Sequence, residues 1–531
     1  MTTQKPKNEP REKSLANKII ELIIKDCELV HNQQKEPYAI VKKAGVRQVY
    51  SIGSKSFCDL VSSKYFASKK SALSEAALKS ALSTLSGKAV YEGKCVEIFT
   101  RIAKTDEGYW LDLCNEAWEA VLITKTGWKV LSGNSVPLFT RSKSMLALPS
   151  PLVGGSLDQF WDLVNIPHEY RLTVVAWLIE CLRPDTPHVV MELVGEQGSA
   201  KSTTQKLLKM LIDPNIANLR AAPKKVEDVW IGALNSHLVS FENISYLGQD
   251  YQDALCVMAT GGAHATRTLY TNREEDIIQL RKPIILNGIT VNVTAQDLLD
   301  RSIHLELPPV KTRLQSKDVD EAFSQEYSKF VGALLDCFVA ALKVLDSIVI
   351  ADDDKPRMVD FAYLGEAVYK SNGFEAGAFI DFYSSMRQKG VYRTVESSPV
   401  GLALLTFLQS KPDGWSGKLI DLLAYLEPHR PKSETNWPKS AKGMGDALRR
   451  LSPALRTLGF NCRSNQKISG SITWEIKPIP HKVLNQSPTS PTSPTSPESP
   501  SKMSSDLGHE GFEGHENINL DESEDENDYP F

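Results

Sequence analysis

The sequence of 531 residues has room for about three or four domains of ordinary size. Its hydrophobic fraction of 41% excludes a largely disordered chain. The net charge of −4 is uneven: residues 487–531 carry eleven acids and one lysine, which leaves 60 basic and 54 acidic residues, a net charge of +6, elsewhere. A mildly basic body is compatible with a nucleic-acid partner.

The cysteine spacing and the apolar segments exclude several classes of protein. The eight cysteines form no C-x-x-C pair and have no histidine at zinc spacing, so we predict reduced thiols. Residues 1–13 are polar and lack the apolar core of a signal peptide. The longest apolar stretch, 172–182, is interrupted by Glu180 and is too short to span a bilayer. The sequence therefore predicts a cytoplasmic protein with no membrane partner.

The first elements predicted along the chain are a mixture of helices and strands. An amphipathic helix is indicated at 14–31, with Ser14 as its N-cap. Two strands and two helices follow at 38–41, 48–52, 56–69 and 72–86. Apolar segments separated by glycine turns predict further strands between 95 and 131. We expect residues 14–148 to form one α+β module after a flexible segment, 1–13. This module contains no convincing pair of acidic residues of the kind that forms a primase active site.

The stretch HVVMELVGEQGSAKST, residues 188–203, predicts a phosphate-binding loop. An apolar strand ends at Gly195, small residues form a turn, and Lys201 opens a helical pattern. Backbone N–H groups of such a loop and helix start converge on an anion. Lys201 then contacts the β- and γ-phosphates, and the Ser202 hydroxyl contacts Mg²⁺. The predicted nucleotide-binding residues are Gly195, Glu196, Gln197, Gly198, Ser199, Ala200, Lys201, Ser202 and Thr203.

The residue before Lys201 is an alanine, where such a loop usually has glycine. Alanine is tolerated at this position if its φ is negative, which we therefore expect of Ala200. The alternative for the whole stretch is an ordinary glycine-rich turn between a strand and a helix. The lysine, the hydroxyl and both flanking elements favour the phosphate loop.

Two later strands end in polar residues. One apolar strand ends at Glu242, forty-one residues after Lys201, and we expect it to lie beside the strand of the phosphate loop. Its carboxylate would then face Mg²⁺ and the attacking water, although an edge strand with a capping glutamate is the alternative. Asn243 stands where many such enzymes have a second acid, so general-base capacity rests on Glu242. The next strand ends at Asn287, whose amide could orient the γ-phosphate or the water.

Arg301 follows a short predicted helix and precedes a strand at 303–307. An arginine at this place can reach the nucleotide of a neighbouring subunit and neutralise charge in the transition state. Taken alone, however, Arg301 fits a surface salt bridge better.

Residues 397–480 are predicted to be a separate C-terminal module. Its periodicity indicates helices at 400–409, 416–426 and 440–458, followed by strands at 459–463 and 471–476. Helices followed by a β-hairpin are typical of a winged helix, and a basic last helix and wing favour duplex DNA. The basic residues are Arg449, Arg450, Arg463 and Lys467. The alternative is a structural winged helix with a solvated basic face.

Four motifs in this order, GEQGSAKST, HLVSFEN, KPIILNG and DLLDRSI, resemble those of the superfamily-three helicases of viruses, phages and plasmids. Within that group they look most like the primase-helicase ATPases of bacterial mobile elements. The likeness is specific over 186–310 and looser over 90–480. It implies ATP and Mg²⁺ as cofactors and a homo-oligomer, a hexameric ring. It also implies Glu242 as the Walker-B acid, Asn287 as the sensor and Arg301 as the trans-acting finger.

The interval 259–275 resembles the family's β-hairpin, which grips single-stranded DNA in the channel of the ring. The resemblance implies that Arg267, Tyr270 and Arg273 contact DNA, through phosphate binding and base stacking. The predicted tip carries two acids where a basic tip is usual. A buried Tyr270 in a solvated hairpin is the alternative.

These features predict an α/β P-loop (AAA+-like) ATPase core with an N-terminal α+β module and a C-terminal winged-helix module. The expected segments are 1–13, 14–148, a helical connector 149–185, the ATPase 186–310, a helical region 311–396, the winged helix 397–480 and a tail 481–531. The predicted function is an ATP-dependent DNA helicase, a ring translocase that acts on single-stranded and duplex DNA in replication of a mobile element. A separate primase is a further possible partner. The alternatives are an ATPase that loads replication proteins without unwinding, and a DNA-binding initiator scaffold with residual ATPase activity.

The end of the chain, LDESEDENDYPF, resembles the acidic tip of bacterial single-stranded-DNA-binding proteins. The resemblance implies docking on host replication and repair proteins, with the aromatic end in an apolar pocket and the acids on a basic rim. The docking residues would be Asp528, Tyr529, Pro530 and Phe531. A Ser-Pro-Thr repeat before them predicts an extended spacer. The alternative is a solubilising tail.

Overall fold

A computed structural model describes residues 14–43, 45–267, 275–290, 293–396, 398–431, 437–465 and 473–479. Within these ranges the chain forms fifteen α-helices and five β-sheets. Of the helices described there, none is both long and apolar enough to cross a membrane.

The N-terminal part is a four-stranded sheet packed with three helices. Its elements are α1 (Leu15–Ile24), β1 (Cys27–His31), β2 (Pro37–Lys43), β3 (Val46–Ser51), α2 (Lys55–Lys69), α3 (Glu75–Tyr91) and β4 (Lys94–Cys95). The strand order is β3-β2-β1-β4. As predicted, the Ser14 hydroxyl caps α1 by accepting a hydrogen bond from Asn17 N at 3.3 Å. The helix predicted at 14–31 is shorter than expected, because its last residues pair with β2 as a strand.

A second sheet is an antiparallel meander of β5 (Ile102–Thr105), β6 (Gly108–Asp112), β7 (Ala120–Thr124) and β8 (Gly127–Leu131). Side chains of one face, including Tyr109, Leu111 and Val121, belong to the same hydrophobic core as the helices after residue 157. The core of α1, α2 and α3 is separate. Residues 14–148, predicted to form one module, thus contribute to four separate hydrophobic clusters, and one of these also contains the helices after residue 157 because the meander packs on them.

A helical layer covers one face of the central sheet. It contains α4 (Asp158–Leu163), α5 (Arg171–Glu180), α10 (Ser316–Leu345), α11 (Val359–Ser371) and α12 (Ala378–Glu396). Phe160 of α4 packs edge-on against Phe330 of α10, with 5.5 Å between the ring centroids. These aromatic contacts fix the connector before the sheet to the long helix that follows it.

The central sheet contains five parallel strands: β9 (Val190–Val194), β10 (Arg220–Ala221), β11 (Val239–Ile244), β14 (Ile284–Gly288) and β15 (Ser302–Glu306). Its helices are α6 (Lys201–Ile212), α7 (Val226–Leu234), α8 (Gln249–Thr260) and α9 (Gln296–Leu299). In β9, Val190 faces one core and Met191 the other. Burial on both faces explains why β9 reads as a nearly continuous apolar run.

The strand order is β10-β11-β14-β9-β15, which corrects one expectation. The strand that ends near Glu242, β11, was predicted to lie beside β9. Instead β14 lies between them and pairs with both. Asn287 at the end of β14 is therefore placed between the phosphate-loop sequence and Glu242.

The C-terminal part is built from α13 (Pro399–Gln409), β16 (Trp415–Lys418), α14 (Leu419–Leu426), α15 (Ala441–Thr457), β17 (Phe460–Ser464) and β18 (Thr473–Pro478). The sheet order is β16-β18-β17, and all pairs are antiparallel. The helix predicted at 416–426 starts only at Leu419, because the residues before it pair with β18. This additional strand makes a three-stranded sheet behind three helices, with its own core.

Candidate functional site

Three sequence-predicted segments meet where the parallel strands of the central sheet end, which we call its carboxyl edge; the amino edge is where these strands begin. Since the strands are parallel, β9, β11 and β14 all end at this edge, and they carry Gly195, Glu242 and Asn287 there or just beyond it. The order of the strands reverses beside β9, since β14 and β15 flank it on opposite sides. In open α/β sheets, ligands bind outside the carboxyl ends of the strands at such a reversal.

The loop after β9 closes around the side chain of Lys201. Its Nζ donates hydrogen bonds to Gly195 O and Glu196 O, both at 2.8 Å, and to Ser199 Oγ at 3.2 Å. Ser199 Oγ in turn donates to Glu196 O at 2.9 Å. Burial lowers the pKa of the Lys201 ammonium from its usual value. The positive charge is therefore held inside the loop, where an anion would meet it with little competition from water.

The glycines of this loop are needed for space and for backbone conformation. A Cβ at Gly195 would lie 2.5 Å from Leu307 O, so no larger residue fits against the segment that follows β15. Gly198 has a φ of +89°, in the left-handed region. A Cβ there would also lie 2.8 Å from Arg313 Nη2.

Ala200 also lies in the left-handed region, with a φ of +54° and a ψ of +26°. The negative φ expected for this residue is wrong. The loop turns directly into α6 at Lys201, and a left-handed residue makes that turn in one step. Alanine therefore occupies the strained position that glycine usually fills in such loops, at a cost of about 1–2 kcal/mol.

The start of α6 presents backbone donors at the same edge. The first intrahelical hydrogen bond runs from Thr204 N to Ala200 O at 2.9 Å. The amides of Lys201, Ser202 and Thr203 precede it in the first turn, where N–H groups have no intrahelical acceptor. Ser202 and Thr203 are half-buried. Such a helix start, with Lys201 beside it, suits a phosphate group.

Asn165, which the sequence did not single out, holds this loop from the side. Its Nδ2 donates to Ser199 O at 3.0 Å and to Pro308 O at 2.6 Å, and its backbone N donates to Thr204 Oγ1 at 3.1 Å. One residue of the connector between α4 and α5 thus joins the loop, α6 and the segment after β15. No local sequence pattern identifies this role, because all its partners are distant in the chain.

Glu242 lies at an irregular end of β11. The register with β14 shifts between Phe241 and Ile244, and Asn243 has a φ of +54°. The backbone N of Asn243 donates to Asn287 Oδ1 at 2.9 Å. Glu242 is half-buried, and Asn243 is exposed. The regular strand is therefore interrupted at Glu242, and such irregularities are common beside functional sites.

Asn287 is buried and uses both ends of its amide within the protein. Besides accepting from Asn243 N, it donates through Nδ2 to Gln205 Oε1 at 2.5 Å. Gln205 is fully buried on α6, one turn after Lys201. Its Nε2 donates to Ser240 Oγ at 2.8 Å and to Phe241 O at 3.0 Å. These two amides join α6, β11 and β14 directly beneath the site.

Arg301 lies at the opposite side of the central sheet from the phosphate loop, at the amino-terminal ends of the parallel strands. Its carbonyl accepts a hydrogen bond from Val190 N at the start of β9, at 2.9 Å. Its Nη1 donates to Cys256 Sγ at 2.6 Å and pairs with the carboxylate of Asp297. Within one chain Arg301 therefore forms a salt bridge with Asp297, as the alternative to a trans-acting finger expects. The length of β9, roughly 17 Å at 3.3 Å per residue, separates it from the loop at Gly195.

The predicted hairpin and the predicted basic faces are only partly described. β12 (Ala263–Arg267) and β13 (Glu275–Gln279) pair antiparallel, with Arg267 opposite Glu275. Tyr270, Arg273, Lys467 and the docking residues 528–531 lie outside the described residues. Arg449 and Arg450 are exposed on α15, where Arg449 donates to Asp446, and Arg463 on β17 pairs with Glu475 at 3.3 Å.

The donor set at the carboxyl edge fits a nucleotide with its magnesium ion. Lys201 and the start of α6 offer positive charge and N–H groups for phosphates, and Ser202 and Glu242 offer the oxygen ligands that Mg²⁺ prefers. Among the described residues, no group of three or more His, Cys, Asp or Glu side chains is placed to hold a metal ion.

Two family models match the chain in succession. Residues 157–386 match the model described as "Actinomycete integrative conjugative element replication protein", and residues 400–501 match "AICE RepA C-terminal domain". Neither description names the superfamily-three helicases, so that finer assignment stays a prediction. No curated protein matches the chain.

Solved structures resemble the chain at low identity. "SCCmec type IV Cch - active helicase" has a TM-score of 0.42 and 10% identity, over 85% of this chain and 92% of that chain. "The A form apo structure of NrS-1 C terminal region-CTR" has a TM-score of 0.37 and 12% identity, over 88% of this chain and 100% of that chain.

Proposed function

We propose that this chain is an ATP-dependent DNA helicase that acts in the replication of an integrative conjugative element. The chain is similar over residues 157–386 and 400–501 to replication proteins of such elements in actinomycetes. The observation that carries the proposal is the convergence of Lys201, the start of α6 and Glu242 at one edge of a parallel sheet. This arrangement provides a phosphate-binding cation and a carboxylate at the same edge.

In this proposal the residues around the loop bind the phosphates. The Lys201 ammonium exchanges its loop carbonyls for the β- and γ-phosphate oxygens, while the amides of α6 cradle the anion. Arg313, an exposed guanidinium beside Gly198, adds a second positive charge on the outer side of the loop. Ser202 and Glu242 would hold Mg²⁺, which would neutralise charge on the phosphates when bound.

Glu242 orients the attacking water and accepts its proton. Asn287 lies beside Glu242, on the strand between β9 and β11. Arg301 serves a neighbouring subunit, because it lies at the edge opposite its own loop. This division of one site between two subunits needs a head-to-tail homo-oligomer, which we propose to be a hexameric ring of AAA+-like cores.

DNA contacts are assigned to two basic surfaces. Arg267, Tyr270 and Arg273 of the hairpin would hold single-stranded DNA, and Arg449 and Arg450 of the winged-helix-like part would hold duplex. Arg449 and Arg450 are both exposed. Arg463 has Glu475 as an ionic partner, so its share in DNA binding depends on the exchange of that partner for a phosphate.

The acidic end of the chain is proposed to recruit host replication or repair proteins. A peptide of residues 521–531 should bind a host protein known to accept the tip of single-stranded-DNA-binding protein, since its aromatic end enters an apolar pocket. A peptide without Phe531 is the matched control. Equal, weak binding of the two peptides, or failure of the intact tail to compete with the host tip, would refute this docking role.

The central experiment measures steady-state ATP hydrolysis and fork unwinding by the full chain, with and without single-stranded DNA. Lys201→Ala and Glu242→Gln should each lower the hydrolysis rate by about 10²–10³, because each removes charge or proton-transfer capacity at the reacting phosphate. Arg267→Ala and Arg273→Ala should keep basal hydrolysis but lose stimulation by DNA.

Lys206→Ala is the matched control for Lys201→Ala. Lys206 is on the same helix but pairs with Asp320 at 2.8 Å, away from the loop, so its loss should leave hydrolysis unchanged. Hydrolysis by Lys201→Ala at the wild-type rate would overturn the proposal. Hydrolysis without unwinding of any fork would favour the alternative of an ATPase that loads replication proteins. A hydrolysis rate that single-stranded DNA does not change would exclude a helicase.

A further inference from the structure

Gln205 is a buried amide whose partners all lie around the strand end that carries Glu242. It is 0% exposed and lies on α6. Its Nε2 contacts Ser240 Oγ at 2.8 Å, Phe241 O at 3.0 Å and Ile285 O at 3.4 Å, and its Oε1 contacts Asn287 Nδ2 at 2.5 Å. A fully buried amide with every polar atom engaged is a rigid connection.

The backbone determines the orientation of both amides in this chain of contacts. The N–H of Asn243 can only donate, so the oxygen of Asn287 must face it and its NH₂ must face Gln205. The oxygen of Gln205 then accepts, and its NH₂ faces the carbonyls of Phe241 and Ile285, which can only accept. Each step is consistent with the next, so neither amide can rotate by 180° without losing contacts.

These contacts hold the backbone on both sides of Glu242. Gln205 binds the carbonyl of Phe241 directly, and it holds the amide of Asn243 through Asn287. The segment between them leaves the regular register, and Asn243 adopts a left-handed conformation. A strained bulge persists only where its surroundings hold it.

We propose that Gln205 is a positioning residue for Glu242, acting through Phe241 and through Asn287. Because Gln205 lies one turn after Lys201 on the same helix, it connects the helix of the phosphate loop to the backbone around Glu242. The inference rests on the proposed function, in which Glu242 orients the attacking water. Gln205 is 0% exposed, so its side chain acts on Glu242 only through the protein.

The test compares Gln205→Met with a matched variant, Gln252→Met. Gln252 is also buried, and its Nε2 donates to Leu247 O at 2.8 Å and to Thr294 Oγ1 at 3.1 Å, contacts that do not involve the segment around Glu242. Gln205→Met should lower kcat for ATP by about 10- to 100-fold, the effect of a small misplacement of a reacting group, and leave KM within about twofold. Gln252→Met should destabilise the protein comparably and keep kcat.

A second variant, Gln205→Glu, gives a readout that a merely structural role would not move. Burial raises the pKa of the substituted carboxyl. When protonated it can donate to Phe241 O and accept from Asn287 as the amide does, and when ionised it repels the carbonyls. The ratio of its kcat to the wild-type kcat should therefore rise as the pH falls from about 8 to about 6.

The outcomes separate this inference from the proposed function. Absence of Lys201-dependent hydrolysis in the wild-type chain would remove the proposed function itself. If the wild type hydrolyses ATP, the positioning role is wrong when Gln205→Met keeps the wild-type kcat, when Gln252→Met loses kcat by the same factor, or when the Gln205→Glu ratio does not vary with pH.

Discussion

Ala200 and Asn243 flank the proposed site, and both have a φ of +54°. The left-handed conformation costs a residue other than glycine about 1–2 kcal/mol, and it costs asparagine less because its side chain forms local hydrogen bonds there. At Asn243 the strain is held by the contact of its backbone N with Asn287. At Ala200 the conformation is imposed by the direct passage from loop to helix. Two of the seven non-glycine residues with positive φ in the described chain therefore lie on the loops that would contact nucleotide and water.

Ala200→Gly should stabilise the protein by about 1 kcal/mol, because glycine adopts the left-handed conformation without strain. The measurement is the midpoint of thermal unfolding, with ATP hydrolysis as the test that the loop still works. Ala67→Gly, at an exposed position in α2, is the control and should lose up to about 1 kcal/mol. Equal destabilisation by both changes would show that Ala200 is not strained.

Among the elements, the meander is joined to the central sheet through a buried ion pair. Arg101, just before β5, donates from Nε to Asp213 Oδ1 at 3.0 Å, and both side chains are 0% exposed. Asp213 follows α6 and also pairs with Lys209 at 3.1 Å. Burial opposes its ionisation, but Lys209 and Arg101 hold its pKa well below the usual range. The far end of the helix that begins with Lys201 is thus anchored to a neighbouring sheet.

Arg101→Met should destabilise the protein by about 3 kcal/mol, the lower end of the usual loss for one partner of a buried pair, because Lys209 remains with Asp213. The guanidinium also donates to Leu146 O at 2.9 Å and to Pro214 O at 3.1 Å, and these contacts would be lost. Thermal unfolding measures the loss. Lys206→Met removes the half-exposed pair with Asp320 and should cost only about 0–1 kcal/mol. Similar losses in both variants would contradict a structural role for Arg101.

At the scale of the whole molecule, the carboxyl and amino ends of the parallel strands carry different parts of the proposed site. The carboxyl edge has Lys201 and Glu242, and the amino edge has Arg301, beside Asp297. Arg357 pairs with the same carboxylate at 2.7 Å, so Asp297 keeps a partner if Arg301 turns outward. One chain by itself cannot bring the two ends of the strands together, which is why the proposed function needs an assembly.

Mixing Arg301→Ala with Lys201→Ala protein should restore part of the ATP hydrolysis that each lacks alone. Some interfaces of a mixed ring would combine an intact loop with an intact arginine. Mixing Lys201→Ala with Glu242→Gln is the control and should restore nothing, because both changes affect the loop side of the interface. No recovery at any ratio, with assembly shown by sedimentation, would exclude Arg301 as a trans-acting residue.

Local patterns in the sequence were enough to predict the strand–loop–helix unit around Lys201, since its small residues, lysine and hydroxyls are contiguous and their effect is local. They also located the strand ends at Glu242 and Asn287, because apolar runs end where the chain leaves the sheet. Their roles in catalysis remain predictions.

Only the tertiary structure decided which strands are neighbours and which distant side chains meet. The insertion of β14 between β9 and β11, the clamp by Asn165 and the amide chain from Gln205 all depend on contacts between residues far apart in the sequence. The left-handed φ of Ala200 was missed because alanine has little intrinsic preference for that conformation, and the direct passage from the loop into α6 imposes it. Residue type and spacing specify local conformation, whereas hydrogen bonds between distant segments specify the arrangement of the site.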